Sequence, residues 1–282
     1  MEGKIISIWS IKKNYGTSTI SIITALLLAK ELQDKRVLWC TTNNFFGIAR
    51  RSLNLKVNSE NSIDSLIDLF EIDKEKENYN EKLIEQATIK VKDKGYDNLY
   101  FLLESRKKEK NYIEENLKNI FEIVIPNLKS YFDYIVIDTS SFIKSNVTKR
   151  IIEESSLLVN VLQQNSVAIE EYVNLRDLKY IELPKKIINI LNNYDNRIRP
   201  DLEIIEKDIG ENFLTIKKYI NLCTSCNTGN IIQYANDEVE DDIKDYINNI
   251  LEKLGVELIE EDFNDKVTLV SRIKGVFGIG ES

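Results

Sequence analysis

The sequence predicts an α/β protein with a doubly wound, mostly parallel central sheet flanked by helices. Two observations support this fold class. Short runs of apolar, β-type residues alternate along the chain with longer segments of helical periodicity, and this alternation is typical of βαβ units. The composition of the 282-residue chain does not change before a glycine at position 255. We therefore expect one domain over residues 1–254, followed by a linker and tail over residues 255–282.

The first 43 residues form the clearest of these units. An apolar run at 4–10 predicts a buried strand, residues 11–16 a loop, and residues 17–33 a long helix with one apolar face. A second apolar run at 36–41 predicts the next strand. In such a unit the loop places backbone N–H groups at a helix N-terminus, where anions bind.

The remaining elements follow in order. Strands are predicted at 97–103, 132–139, 156–162, 187–192 and 213–216, the last as an edge strand. Helices are predicted at 63–70, 112–128, 146–154, 167–178, 200–209 and 237–254. We expect Pro126 to kink or end the last turn of its helix. Residues 82–91 are only weakly amphipathic, and residues 219–232 are predicted to form a loop.

Composition and charge narrow the possible function classes. The chain is 43% hydrophobic and 30% charged, as ordinary globular proteins are, and its formal net charge of −8 disfavours broad nucleic-acid binding. It has no histidine, which excludes histidine metal ligands and histidine acid–base catalysis. No apolar run approaches the roughly 18 residues that a membrane-spanning helix needs.

The chain has three cysteines and no predicted signal peptide, so we expect a reducing cytoplasm. Cys40 is predicted to lie in a buried strand. Cys223 and Cys226 have the spacing of a redox or metal site, but the sequence has no second pair to complete a zinc site. We interpret them as ordinary small residues at a turn.

The loop of the first unit resembles the P-loop of the MinD/ParA family of deviant-Walker ATPases. The family pattern K-G-G-V-G-K-[ST]-T can be laid without a gap on the eight residues from Lys12 to Thr19. The resemblance implies a P-loop NTPase-like fold in which ATP or ADP contacts this loop. It makes Lys12 the family's signature lysine and Ser18 the hydroxyl that ligates magnesium. The implied nucleotide-binding residues of the loop are Lys12, Lys13, Asn14, Gly16, Thr17, Ser18 and Thr19.

Several departures from the family pattern bear on catalysis. Lys13 and Asn14 replace glycines that let a P-loop approach phosphate closely, and Thr17 replaces the phosphate-binding lysine. Thr41 and Asn43 stand where the family has the two carboxylates of D-x-D. Phosphoryl transfer depends on positioning and electrostatic stabilisation. We therefore expect a pseudo-ATPase with a degenerate P-loop, little or no turnover, weakened ATP or ADP binding, and weak binding of magnesium if it binds at all.

Two later positions complete the expected site. Asp138 ends an apolar strand, at the edge where ligands bind in open parallel sheets, and its segment resembles the second-switch motif Y-D-x-I-I-I-D-T-P-P. By the same resemblance, Asp138 would bind magnesium and serve catalysis if the protein is active. Asn192 ends the strand at 187–192, and the resemblance implies that it contacts adenine. The alternatives are a strand-end turn residue for Asp138 and an ordinary residue of an asparagine-rich chain for Asn192.

The C-terminal tail combines an apolar face with basic side chains. A short helix of this kind can lie in a membrane interface with its apolar face down, and the segment resembles the membrane-targeting C-terminus of MinD proteins. Docking on a protein partner or on its own domain are the alternatives. The residues concerned are Leu269, Val270, Arg272, Ile273, Lys274, Val276 and Phe277.

These observations leave three functional hypotheses. The first is a barely catalytic MinD/ParA-like protein that positions or assembles a Tad-type (type IV) pilus or a similar envelope machine, because its atypical P-loop resembles that of CpaE/TadZ proteins. Such a protein is expected to be a cytoplasmic homodimer that contacts a protein of that machine and, peripherally, the inner face of the cell membrane. The second is an active, ATP-dependent dimerising ATPase of division-site placement or plasmid partition, with Lys12 reaching the phosphates of the other subunit. The third is a scaffold that binds no nucleotide.

Overall fold

A computed structural model of the protein describes residues 2–42, 48–55, 61–72, 81–91, 95–104, 120–180, 182–237 and 239–256. Several predictions concern residues outside these ranges. They include Asn43, residues 112–119 of a predicted helix, and the tail from residue 257 onwards with all seven of the side chains named above. What was inferred for these residues stays a prediction.

The centre of the protein is an eight-stranded sheet with the order β3-β4-β2-β5-β1-β6-β7-β8. All neighbouring strands are parallel except β3 and β4, which are antiparallel. The predicted doubly wound, mostly parallel sheet is therefore confirmed, with β8 as the predicted edge strand. The strands are β1 (Lys4–Trp9), β2 (Val37–Thr41), β3 (Ile89–Lys90), β4 (Leu99–Leu102), β5 (Tyr134–Asp138), β6 (Leu157–Leu162), β7 (Ile187–Tyr194) and β8 (Phe213–Lys217).

Helices flank both faces of the sheet. A π-helical turn, Ile120–Val124, leads directly into α5. The α-helices of the described ranges are α1 (Thr17–Glu31), α2 (Ile48–Leu53), α3 (Ile63–Ile72), α4 (Glu81–Ala87), α5 (Ile125–Tyr131), α6 (Asn146–Glu154), α7 (Ser166–Asp177), α8 (Leu202–Ile209), α9 (Ile220–Thr228), α10 (Ile231–Asn236) and α11 (Asp241–Leu254).

Side-chain caps fix where three of these helices begin. The side chains of Ser145, Asn165 and Asp201 accept hydrogen bonds from backbone N–H groups in the first turns of α6, α7 and α8 respectively. These caps satisfy donors that have no partner within the helix, and each typically contributes about 1 kcal/mol. The capping residues therefore set the points at which the chain leaves the sheet edge and turns back over its face.

The helix α1 lies at the centre of one helical layer. Its residues from Ile20 to Ala29 are all buried, because α1 packs against the sheet on one side and against α10 and α11 on the other. This environment buries α1 on all sides, including Ser21 and Thr24, so the buried surface is wider than the single apolar face predicted from the sequence. Helices α3 to α8 cover the opposite face of the sheet.

Some local predictions were wrong. Pro126 does not end its helix, which continues to Tyr131. It lies directly after the junction of the π-helical turn Ile120–Val124 with α5, so only the predicted helix end is wrong and the predicted kink stays a prediction. Residues 219–232 contain the whole of the short helix α9 and the first two residues of α10, in place of the predicted loop. Residues 82–91 contain most of α4 and the antiparallel strand β3. The last helix starts at Asp241 and not at residue 237.

The parallel strands bring their carboxyl ends to one edge of the sheet. In the register of β1 with β5, Ile8 lies level with Asp138, and in the register of β2 with β5 Thr41 lies level with the same residue. The loop that follows β1 therefore starts beside the ends of β2 and β5. Within the described ranges, none of the helices has the length and apolar character needed to cross a lipid bilayer.

Candidate functional site

The loop between β1 and α1 forms the centre of the candidate site. Asn14 and Gly16 both have positive φ values, 66° and 91°, which turn the chain sharply into the helix. Helix α1 has no acidic residue in its first turn and no side-chain cap at Gly16. The backbone N–H groups and the positive end of the helix dipole therefore favour an anion at this point.

Ser18 and Asp138 meet at the bottom of this loop. The Ser18 hydroxyl donates to Oδ2 of Asp138 at 2.7 Å, and the Asp138 carboxylate is buried, with 3% of the residue exposed. The Thr41 hydroxyl lies 3.3 Å from the same Oδ2 and 3.2 Å from the Asp138 carbonyl oxygen. A hydroxyl and a carboxylate in direct contact are oxygen donors of the kind that Mg²⁺ prefers. These two residues therefore fit the expected magnesium site.

One of the two lysines of the loop, Lys12, forms an ion pair within its own chain. Its Nζ lies 2.6 Å from Oε1 of Glu171, in the second turn of α7, and the two side chains are 40% and 42% exposed. Tyr15 lies beside the pair. Burial raises the pKa of Tyr15, the positive charge of Lys12 opposes that rise, and the negative charge of Glu171 adds to it. The amine of Lys12 thus faces an internal carboxylate at the mouth of the site.

Asn192 braces the loop from the end of β7. Its Nδ2 donates to the Tyr15 carbonyl at 2.7 Å, and the residue is 8% exposed. A Cβ added at Gly16 would lie 2.3 Å from the same nitrogen, so only glycine fits here without a shift. The contact with adenine that was predicted for Asn192 stays a prediction, and the structure gives its amide nitrogen a hydrogen bond to the loop itself.

The remaining loop residues divide by exposure. Lys13 and Asn14 are exposed at the tip, whereas Thr17, Ser18 and Thr19 are half-buried at the start of α1. Thr19 is in contact with Cys226, whose Sγ donates to its Oγ1 at 3.8 Å. The structure thus brings the predicted loop together with the side chains of Asp138, Thr41 and Asn192, which were predicted from separate segments.

Two residues of the site were not predicted. Glu171 lies 159 positions from Lys12 in the chain, and nothing in the sequence distinguishes it from the other acidic residues. Its helix follows β6, which is the neighbour of β1 in the sheet, so the strand order was the signal that could have placed it. Cys226 was predicted to lie in a turn, whereas Cys223 and Cys226 are both on helix α9.

Cys40 lies in β2 as predicted and is buried. Burial raises the pKa of its thiol to about 12, and the nearby charge of Asp138 adds to the rise. The thiol is therefore protonated at neutral pH and is a packing residue beside the site. All three cysteines are free.

Comparison with known proteins identifies relatives of this arrangement, although no family model matches the sequence. The septum site-determining protein MinD of Helicobacter pylori is 28% identical over 200 residues. The aligned part covers 71% of this chain and 63% of that relative, so the chain spans less than two thirds of the relative's length.

Solved structures give the same assignment for the fold. A ParA family ATPase from Chlorobium tepidum superposes with a TM-score of 0.69 and 21% sequence identity, over 87% of this chain and 98% of that one. The septum site-determining protein MinD of Pyrococcus horikoshii, in complex with Mg-ADP, superposes with a TM-score of 0.65 and 17% identity, over 89% of this chain and 95% of that one. The chain therefore has the fold of the MinD/ParA P-loop ATPases.

Proposed function

We propose that this protein is a nucleotide-binding protein of the MinD/ParA type that acts as a positioning or assembly factor and hydrolyses ATP weakly or not at all. One observation carries the proposal. The contact between Ser18 and Asp138 is kept at 2.7 Å, while the phosphate-binding lysine is replaced by Thr17 in the adjoining position. The contact between Ser18 and Asp138 supports a magnesium site, while Thr17 would present no positive charge to the phosphates.

The physical reason for weak hydrolysis is the missing charge. Phosphoryl transfer gains most of its rate from positioning and from positive groups near the transferred phosphate. A threonine hydroxyl supplies no charge, and the amine of Lys12 is 2.6 Å from the Glu171 carboxylate. The loop amides and the dipole of α1 still favour the phosphates. Binding without efficient turnover is the outcome that these groups support.

A protein that binds nucleotide and seldom hydrolyses it is suited to holding other proteins in place. The H. pylori relative is named for determining the septum site, which supports a positioning role here. More specifically, we propose a homodimer that serves a Tad-type pilus or a similar envelope machine, as the resemblance of its P-loop to CpaE/TadZ proteins suggests. Its location would be cytoplasmic and peripheral at the inner face of the membrane.

The tail supplies the proposed membrane contact. Its five apolar side chains would contribute a few kcal/mol on burial in a membrane interface, and each basic residue about 1 kcal/mol at an anionic surface. Sedimentation of the full chain with anionic lipid vesicles tests this contact. Equal sedimentation with the wild-type chain and with an Ile273→Glu variant would show that the tail binds elsewhere.

An active ATPase is the second candidate, and the contact between Ser18 and Asp138 favours it. The decisive measurement is calorimetry of ATP and ADP binding with and without magnesium, combined with an assay of phosphate release. Binding without turnover supports the proposed function. Tight magnesium-dependent binding with brisk hydrolysis supports the active ATPase. If the protein neither binds nor hydrolyses nucleotide, the proposal is wrong and the third hypothesis, a scaffold that binds no nucleotide, is supported.

A single substitution tests the reason given for weak hydrolysis. Thr17→Lys restores the loop cation, and we expect it to tighten ATP binding without restoring robust hydrolysis, because Thr41 and Asn43 still replace the family's carboxylates. Phosphate release by the variant and by the wild-type chain provides the comparison. A brisk rate in the variant would show that the missing carboxylates matter less than the missing lysine.

A further inference from the structure

Two thiols lie one turn apart on helix α9. Cys223 is exposed and Cys226 is half-buried, and neither forms a disulfide in the structure. In an α-helix, residues three positions apart have Cα atoms about 5 Å from each other. That separation lies inside the range of about 4.4–6.8 Å that disulfides span. The Cβ atoms at this spacing are about 5–6 Å apart in a regular helix, against about 3.5–4.5 Å in a disulfide. The pair can therefore be bridged if the turn of α9 between them tightens locally.

The less exposed thiol, that of Cys226, contacts helix α1, which follows the candidate nucleotide-binding loop. Sγ of Cys226 donates to Oγ1 of Thr19, in the first turn of α1, at 3.8 Å, and the side chain of Ser52 in α2 is a second hydrogen-bonding neighbour. Burial raises the pKa of the Cys226 thiol, which keeps it protonated at neutral pH. Cys223, which faces solvent, is the thiol that a dissolved reagent meets first.

The side chains around Cys223 and Cys226 favour disulfide chemistry over metal binding. No group of three or more His, Cys, Asp or Glu side chains in the described ranges is arranged to hold a metal ion. Two thiols alone supply half of the ligands of a structural zinc site. A dithiol with one exposed and one sheltered sulfur instead has the arrangement of an attacking and a resolving cysteine.

We propose that Cys223 and Cys226 form a reversible dithiol/disulfide pair that exchanges with a small disulfide such as oxidised glutathione. The Cys223 thiolate attacks one glutathione sulfur, so that a mixed disulfide forms and one glutathione thiolate leaves. Cys226 then loses its proton to solvent and attacks the Cys223 sulfur, and the second glutathione leaves. Two protein thiols are oxidised, and one glutathione disulfide is reduced to two thiols.

Oxidation also changes the surroundings of α1. A disulfide holds its two sulfurs about 2.05 Å apart, so Sγ of Cys226 has to turn away from Thr19 and Ser52 toward Cys223. The first turn of α1 then loses a neighbour, and so does α2. If this turn binds nucleotide, as the proposed function requires, the redox state of the pair regulates that binding. Only this last step rests on the proposed function.

The full-length protein in a buffer of reduced and oxidised glutathione tests the chemistry. Intact-mass spectrometry and peptide mapping should show a bridge between Cys223 and Cys226 that reductant reverses. Cys226→Ser should stop at a glutathione adduct on Cys223, and Cys223→Ser should form neither bridge nor adduct. A wild-type chain that accumulates the adduct without a bridge, or stays reduced, would overturn the proposal. So would adduct formation in the Cys223→Ser variant.

Hydrogen exchange without nucleotide tests the effect on α1. We expect the amide of Ile20, which donates to the Gly16 carbonyl, and the amides of the turn that follows it in α1 to exchange several-fold faster in the oxidised protein, while those of α5, on the opposite face of the sheet, stay unchanged. Equal exchange in the two redox states would overturn the coupling and leave the dithiol chemistry standing. Because this measurement involves no nucleotide, its result is independent of whether the proposed function is correct.

Discussion

Two pairs of contacting side chains at the candidate site differ in their surroundings. Ser18 and Asp138 meet in the protein interior, where the carboxylate is 3% exposed. Lys12 and Glu171 meet at the surface, where both side chains are about 40% exposed. Electrostatic interactions are several times stronger in the interior than in water. The buried pair is therefore a fixed part of the site, whereas the surface pair is a weak contact that a stronger anion can displace.

This difference separates the proposed magnesium half of the site, which is Ser18 with Asp138, from its proposed phosphate half, which is the loop of residues 11–16. The magnesium half is held by a strand end and the start of a buried helix, so its geometry follows from the core. The proposed phosphate half is a surface loop in which Lys12 is held by an exposed ion pair, and such pairs contribute about 0–1 kcal/mol. Substitutions in the two halves should accordingly differ in how much they change stability and nucleotide affinity.

The largest effect is expected at Gly16, the rigid point of the loop. Gly16→Ala combines a positive φ with a Cβ that would lie 2.3 Å from Nδ2 of Asn192. A left-handed conformation costs roughly 1–2 kcal/mol and overpacking about 1–3 kcal/mol more. We expect a loss of about 2–5 kcal/mol in the free energy of unfolding, measured by urea denaturation, together with weaker nucleotide binding.

Gly210→Ala is the matched control for this substitution. Gly210 also has a positive φ, 74°, but nothing lies within 4 Å of an added Cβ. It should lose only the conformational part, about 1 kcal/mol. Equal losses of unfolding free energy in the two variants would mean that Asn192 does not hold the loop in place.

An intermediate effect is expected from Ser18→Ala, which removes a donor to the buried carboxylate. Hydrogen bonds to charged groups contribute roughly 1.5–3 kcal/mol. The variant should unfold with a free energy lower by that amount, and its magnesium-dependent ATP affinity should fall about 10- to 100-fold. Calorimetry with and without magnesium measures the second effect.

Ser130→Ala provides the comparison for Ser18→Ala. Ser130 is exposed on α5 and its hydroxyl donates to a backbone carbonyl at 2.7 Å, so its loss should change stability by no more than about 0.5 kcal/mol. If Ser18→Ala bound magnesium-ATP as the wild-type chain does, the buried pair would be structural and not part of a metal site.

The smallest effect is expected from Glu171→Gln, which releases Lys12. Stability should change by less than about 1 kcal/mol. ATP affinity should rise by less than tenfold at low salt, since a freed amine adds positive charge near the loop, and the gain should shrink as salt is added. Glu170→Gln, an exposed neighbour, removes the same charge without touching Lys12. Equal effects from the two variants would indicate a general charge effect and no specific pair.

The fold was largely predictable because its strands and main helices carry strong periodic signals. The apolar run before the loop became β1, and the run ending at Asp138 became β5. Segments with weak periodicity were predicted poorly. Helices α9 and α10 are short, and they are stabilised by packing of Leu222, Ile231 and Ile232 into the core, which local propensity does not reveal. Pro126 was predicted to kink or end its helix, and the structure continues the helix past it to Tyr131.

The site was predictable to the extent that topology alone defines it. A loop after one parallel strand and a carboxylate at the end of another must share an edge of the sheet, which places Ser18 near Asp138 before any coordinates are known. The brace between Asn192 and Tyr15 and the ion pair of Lys12 depend on how far each side chain reaches. Sequence patterns do not contain that information.

By itself, the sequence determined the sheet type, the position of the loop between β1 and α1, and the residues that stand at the charged positions of the MinD/ParA pattern, because periodicity and spacing are local properties. Only the tertiary structure decided that Lys12 is held by Glu171, that Asn192 supports the loop, and that Cys226 touches the first turn of α1. The physical reason is that these contacts join residues 159 to 207 positions apart, and their geometry follows from strand order and helix packing.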